Sequence, residues 1–175
     1  DKTTVTLFHR NTAIGQNPFY SIGSVPGNPA KATGQINKDA FNSYGMIAQH
    51  RKKFNFLNAR WIAGVNVDYS PATYQANYID IDVNADKVYY AYTTTDSILT
   101  DYKVDLLNSA VYTQFEFNPL EKFKVLVAAR YDRMDYNFKN FLPPGAYSGA
   151  ANAANYFSYF TPKIGFTYGF TNTEG

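Results

Sequence analysis

The sequence predicts an all-β protein, an antiparallel up-and-down meander of about six strands forming part of a large transmembrane β-barrel. Three observations carry that prediction. Short segments alternate apolar and polar residues with period two, which sends successive side chains to opposite faces of a strand. The connections between them are alternately short and long. Aromatic residues are abundant, with 16 Tyr and 14 Phe, while only 17% of the 175 residues are charged.

Residues 3–10, TTVTLFHR, place Val5 and Leu7 on one face. Residues 43–54, SYGMIAQHRKKF, and 59–69, ARWIAGVNVDY, follow across the short link NFLN, residues 55–58. In the third segment Trp61, Ala63, Val65, Val67 and Tyr69 oppose Arg60, Ile62, Gly64, Asn66 and Asp68. Residues 110–132, AVYTQFEFNPLEKFKVLVAARYD, read as a β-hairpin turning at Asn118-Pro119 through Leu120, Glu121 and Lys122. The sixth segment is residues 159–170, YFTPKIGFTYGF. Long connections are expected over residues 11–42, 70–100 and 138–155. Short turns at one end and long loops at the other are the pattern of outer-membrane barrels.

The faces agree with a membrane wall. Arg60, Asn66, Asp68, Gln114, Glu116, Lys124, Arg130, Asp132 and Lys163 fall on polar faces. The opposite faces are apolar, with Tyr44, Trp61, Tyr69, Phe117, Phe123, Tyr131, Phe160 and Phe170 near strand ends, as in interfacial aromatic girdles. No apolar run approaches the roughly 20 residues of a spanning helix, whereas a spanning strand needs only about 10. A soluble antiparallel sheet would alternate in the same way. A soluble carbohydrate-binding β-domain and a small structural outer-membrane barrel or adhesin are therefore the alternatives.

A net charge of +2 with scattered Lys and Arg argues against nucleic acid as a partner. With no Cys there is no disulfide framework or thiolate metal site. The chain begins at Asp1 without Met or signal peptide and ends FTNTEG just after a strand pattern, so residues 1–175 read as one partial barrel domain, a fragment. His9 and His50 lie on different strands and no hydrolase, zincin or phosphate-loop motif occurs, so no catalytic residue or cofactor is expected.

The connection over residues 70–100 carries Tyr74, Tyr78, Tyr89, Tyr90 and Tyr92, candidate ligand contacts because aromatics offer large area at small entropic cost. Deleting that connection is expected to weaken ligand uptake while leaving the barrel assembled. In the same stretch Asp80, Asp82, Asn84 and Asp86 recur at every second position. The Gly and Glu that an EF-hand needs are replaced by Ala85 and Ala91, so a solvated loop edge is the first reading and a calcium site the second.

Residues 125–138, VLVAARYDRMDYNF, resemble a recurrent strand of TonB-dependent outer-membrane receptors that ends in Arg-Tyr-Asp. The preceding NPLEKFK is similar to its periplasmic turn. FTPKIGFTYGF, residues 160–170, resembles the following strand, and LFHRNTAIGQNPFYSI, residues 7–22, an upstream segment. Strand alternation sends Arg130 and Asp132 to the lumen and Tyr131 to lipid. The resemblance implies a barrel of 22 strands with a plug domain, in the outer membrane of a Gram-negative bacterium. It further implies uptake of a scarce nutrient energised through TonB, which would be engaged by an N-terminal segment outside this chain. An iron–siderophore complex leads as nutrient; a glycan or cobalamin stays open.

Overall fold

A computed structural model describes residues 1–146 and 148–170, the side chains of residues 18 and 19 excepted. Its strands are β1 (Lys2–Ser24), β2 (Lys31–Lys53), β3 (Arg60–Val83), β4 (Tyr89–Leu120), β5 (Phe123–Asn140) and β6 (Ala153–Tyr168). They form one antiparallel sheet in the order β1-β2-β3-β4-β5-β6, each strand paired with its neighbours in sequence. The sheet is open, with β1 and β6 at its edges. Residues beyond Phe170, most of FTNTEG, lie outside the described residues.

Register confirms the expected faces. Arg60 stands opposite Glu116, Glu116 opposite Leu126 and Leu126 opposite Gly165, so the polar residues named above share one surface. Trp61 pairs with Phe115, Val65 with Val111, Val111 with Tyr131 and Tyr131 with Phe160 on the other. From Trp61 to Tyr69 that apolar surface runs about 26 Å along the strand, enough for the roughly 25 Å band of a membrane barrel. The inner face is the polar one and the outer face the lipid-facing one.

The long connections are a correction. Only residues 25–30, 84–88 and 141–152 lie between strands at that end; the rest of 11–42, 70–100 and 138–155 continues as paired strand. Beyond Tyr69, β3 runs on for about 46 Å at about 3.3 Å per residue. Above the lipid band both faces are polar or mixed, so period-two alternation fades while backbone pairing persists. At the opposite end the turn expected to begin at Asn118-Pro119 narrows to Glu121 and Lys122, with a bulge between Phe117 and Leu120. The NFLN link is a tight turn containing a single 3-10 segment, Phe56–Asn58, in which Leu57 and Asn58 take φ values of 50° and 46°.

Two features mark the boundary between band and extension. The β2–β3 ladder skips the pairs opposite Ser70 and Pro71, where the proline has no N–H to give. Above it a small apolar cluster forms on the outer face from Ala32, Ile36, Ile79 and Ile81. This cluster packs buried hydrophobic side chains against one another, whereas buried ones in the band, such as Ala110 and Val125, lie singly.

Within the band, large inner side chains lie across glycines on the adjacent strand. Phe8 covers Gly45, its cross-strand partner, and Tyr112 covers Gly64, where its hydroxyl accepts a hydrogen bond from Gln49 Nε2 at 2.9 Å. A Cβ at Gly64 would meet Tyr112 Oη at 2.5 Å and the Ala48 carbonyl oxygen at 2.7 Å. Gly64→Val is therefore expected to cost about 1–3 kcal/mol through overpacking. Urea unfolding in micelles checks this, and Tyr112→Ala should rescue only part of the loss because the backbone clash stays.

Candidate functional site

The inner wall carries two polar layers beneath an aromatic one. At the top of the lipid band Arg10 Nη2 donates to Asp68 Oδ2 at 2.7 Å and to Ser43 Oγ at 3.0 Å. Ser43 and Ser70 hydroxyls donate to Asp68 Oδ1 at 2.6 and 2.7 Å. Asp68 therefore ties β1, β2 and β3 together, through Arg10, Ser43 and Ser70. On β5 Arg130 grips Asp132 through Nε and Nη2 at 2.7–2.9 Å, while Tyr131 faces outward, as the Arg-Tyr-Asp reading required. Beside them a concavity of about 220 Å³ is lined by Asn66, Asn108, Arg130, Asp132 and Tyr159. Asn66 Oδ1 is buried there without a hydrogen-bond partner among the described residues.

Above this layer stands an aromatic ladder. Tyr74 on β3 stacks on its cross-strand partner Tyr102 on β4, with centroids 5.3 Å apart. Tyr102 meets Phe138 on β5 at 5.3 Å, and Phe138 stacks parallel to Tyr136 at 6.5 Å. Next to the ladder, on β2, Gln35 Nε2 donates to Asn37 Oδ1 at 2.9 Å and Asn37 Nδ2 donates to Gln16 Oε1 at 2.7 Å. Desolvation first, and the Asp39 carboxylate second, push both the Tyr74 and the Tyr102 phenols above their usual range. The phenols therefore stay protonated at physiological pH, and each keeps an O–H able to donate.

Asn140 closes the ladder's upper end. It pairs with Tyr102, is buried, and holds the 141–152 connection by donating Nδ2 to the Ser148 and Ala150 carbonyls, both at 2.8 Å. Its own N–H donates to Asn152 Oδ1 at 2.8 Å.

The five tyrosines singled out in the sequence do not converge. Register puts Tyr74 and Tyr78 on the inner face, opposite Tyr102 and Gln35 respectively. Tyr92 pairs with Ile81 and Tyr89 with Val83 on the outer face, and Tyr90 falls at the bulge between those pairs. Sequence reasoning missed Tyr102, Tyr136, Phe138 and Asp39; counting cross-strand register upward from the short turns, where the β2–β3 and β4–β5 ladders keep one register from the turn to these residues, is the signal that finds them. The acidic series separates as well. Asp80 and Asp82 face inward on β3, with Lys31 paired to Asp82, while Asn84 Oδ1 accepts from the Val88 N–H in the turn. No group of three or more His, Cys, Asp or Glu suited to a metal occurs among the described residues.

A polar inner wall, an apolar band between aromatic girdles and strands continuing far past that band define a section of an outer-membrane β-barrel. The chain matches the family described as TonB dependent receptor-like, beta-barrel, over residues 2–173, and it belongs to that family. Members sit in the outer membrane of Gram-negative bacteria and, as a family, import small molecules with energy delivered through TonB. A search of curated proteins returns no match.

Proposed function

We propose that this chain forms part of the wall of a receptor importing a scarce nutrient, and that the nutrient is an iron–siderophore complex. The observation supporting this reading is the inner ladder of Tyr74, Tyr102, Phe138 and Tyr136, flanked by Gln16, Gln35, Asn37 and Asp39. Aromatic faces, amides and protonated phenols suit a ligand rich in carbonyl and hydroxyl groups. The surface bears Asp39 and, among the described residues, no Lys or Arg on the inner face at its level. A ferric trishydroxamate, in which three anionic chelating groups neutralise the metal, fits that electrostatics. A ferric triscatecholate, three charges negative, would meet the carboxylate without a compensating cation.

The test is a binding panel on the receptor containing this chain, read by quenching of intrinsic fluorescence. A ferric hydroxamate should bind in the micromolar range or tighter (about −8 kcal/mol) and a ferric catecholate at least tenfold more weakly. Tight binding of an oligosaccharide or a cobalamin, with neither iron complex bound, would reassign the substrate.

A further inference from the structure

The outer face changes character above the lipid band. Tyr44 and Tyr69, paired across β2 and β3, stand at its upper aromatic girdle. Four residues further along, the same face is floored by small side chains, Ala13 on β1, Ala40 on β2 and Thr73 on β3, partners in one row. Over them lies a concavity of about 510 Å³, walled by Lys38, Gln75 and Asp101. This groove crosses β1 to β4 on the face away from the lumen, so closing the barrel with further strands leaves it open.

Three lysines surround the groove. Lys38 is exposed and stands opposite Gly15 and Gln75, neither of them acidic. Lys103 continues the row beyond Thr73 and directly opposes Lys139. Like charges facing one another across a ladder repel. Asp105 relieves Lys103 at 2.9 Å, but none of the ion pairs among the described residues involves Lys38 or Lys139. Nearby carboxylates are already engaged: Asp101 accepts from Gln75 Nε2 at 3.2 Å and Asp105 from the Tyr69 hydroxyl at 2.7 Å.

Height and spacing define the occupant. Thr73 lies about 13 Å along the strand from Tyr69, or about 10 Å higher at a tilt near 40°. The polar layer of a bilayer adds only about 5–8 Å beyond the hydrocarbon on each side. A glycerophosphate headgroup therefore ends below the groove, whereas a sugar headgroup rises into it. Lys38 and Lys103, two strands and two residues apart, are separated by about 12 Å. One phosphate cannot touch both, but a disaccharide with a phosphate at each end spans them.

We infer that this outer-face groove binds a phosphorylated glycolipid of the outer leaflet. Its sugars lie on Ala13, Ala40 and Thr73, and its phosphates meet Lys38 and the Lys103–Lys139 pair. Its acyl chains descend over the apolar band, continuing the lipid interface that the sheet already presents. The inference rests on the barrel reading for which face meets lipid, and on no assignment of the imported nutrient.

The test uses the delipidated receptor containing this chain in detergent micelles, titrated with an acylated glucosamine disaccharide bearing two phosphates. Native mass spectrometry reads the one-to-one adduct. Replacing Lys38 and Lys139 together by Gln should weaken binding about tenfold. Ala40→Trp, which fills the groove without touching a charge, should weaken it as much. Asp101→Asn removes a competing carboxylate and should strengthen it, so the proposal stays testable if the double variant assembles poorly. Lys52→Gln, at the opposite end of the outer face, should change nothing; an equal loss there would place the glycolipid elsewhere on the wall and overturn the proposal. Equal binding of phosphatidylglycerol or of the dephosphorylated disaccharide would mean an unselective lipid contact and overturn it too, as would indifference to all three groove variants. Binding of a ferric hydroxamate should be the same in the Lys38 and Lys139 double variant. Loss of both ligands together would show instead that the faces, and with them the barrel reading, are misassigned.

Discussion

Replacing Tyr74 and Tyr102 together by Ala is expected to weaken ligand binding by about two orders of magnitude, with the receptor still assembling normally. The reasoning starts from geometry. Tyr102 is the centre of the ladder, touching Tyr74 on one side and Phe138 on the other. Removing it separates the β3 and β5 contributions, so the ligand loses a continuous aromatic surface as well as one ring. Each deleted ring should cost about 1.5 kcal/mol or more at the centre of a binding surface, and about 2.7 kcal/mol corresponds to a hundredfold. Because the rings touch, the effects should not add: Tyr102→Ala alone should account for most of the loss. Tyr102→Phe separates stacking from hydrogen bonding. It should retain most of the affinity if ring area dominates and lose about tenfold if the phenol donates to the ligand. Fluorescence titration measures these differences, and heat-modifiable mobility on gels reports assembly. Full affinity in the double alanine variant would remove the ladder from the binding surface.

The contrast between Tyr74 and Tyr92 shows what the sequence conveyed. Within the lipid band one face meets hydrocarbon and the other meets polar groups, so Trp61 to Tyr69 alternate strictly and their faces could be read residue by residue. Above the band neither face meets lipid. Runs such as YYAYTTT, residues 89–95, have the β-branched and aromatic composition of strands but no alternation to announce which side is which. They read as loop, and the register shifts between Ala76 and Ile79 and again at Val83 then rotate residues between faces in a way composition does not encode. The candidate site was therefore half legible. Tyrosines in this segment were the right residue type, but only cross-strand pairing places Tyr74 beside Tyr102 and sends Tyr92 to the opposite side. The basic run HRKK, residues 50–53, shows the same limit. In a strand those four residues divide between two faces, and it is the pairing with Lys2 and Arg60 that concentrates charge on the inner one.

Outside a membrane or micelle, the 175-residue chain is expected to associate into oligomers. Its outer face presents Leu7 at 74% exposure, Phe160 at 65% and Phe166 at 62%, with Val5, Val111, Val127 and Ile164 also exposed between them. Among the described residues no second layer covers these side chains; the six strands lie in one sheet. Burying a Phe or Leu fully is favourable by about 1.5–3 kcal/mol, so pairing even half a dozen of them between two copies exceeds the cost of association. The edges add a second route, because β1 and β6 each offer an unpaired row of N–H and C=O groups to another chain. The two routes respond differently to substitution. Changing Val111, Ile164 and Phe166 to Thr keeps strand propensity and dulls the apolar face, so association through that face should fall sharply while edge pairing continues. Adding a non-denaturing detergent should disperse face-to-face assemblies by coating the same surface and leave edge-paired ones intact. Light scattering in detergent-free buffer and again in micelles separates the cases. A monodisperse monomer with cooperative unfolding in plain buffer would mean that the apolar face has folded onto an internal core. The assignment of that face to lipid, and of the opposite face to the lumen, would then fail together.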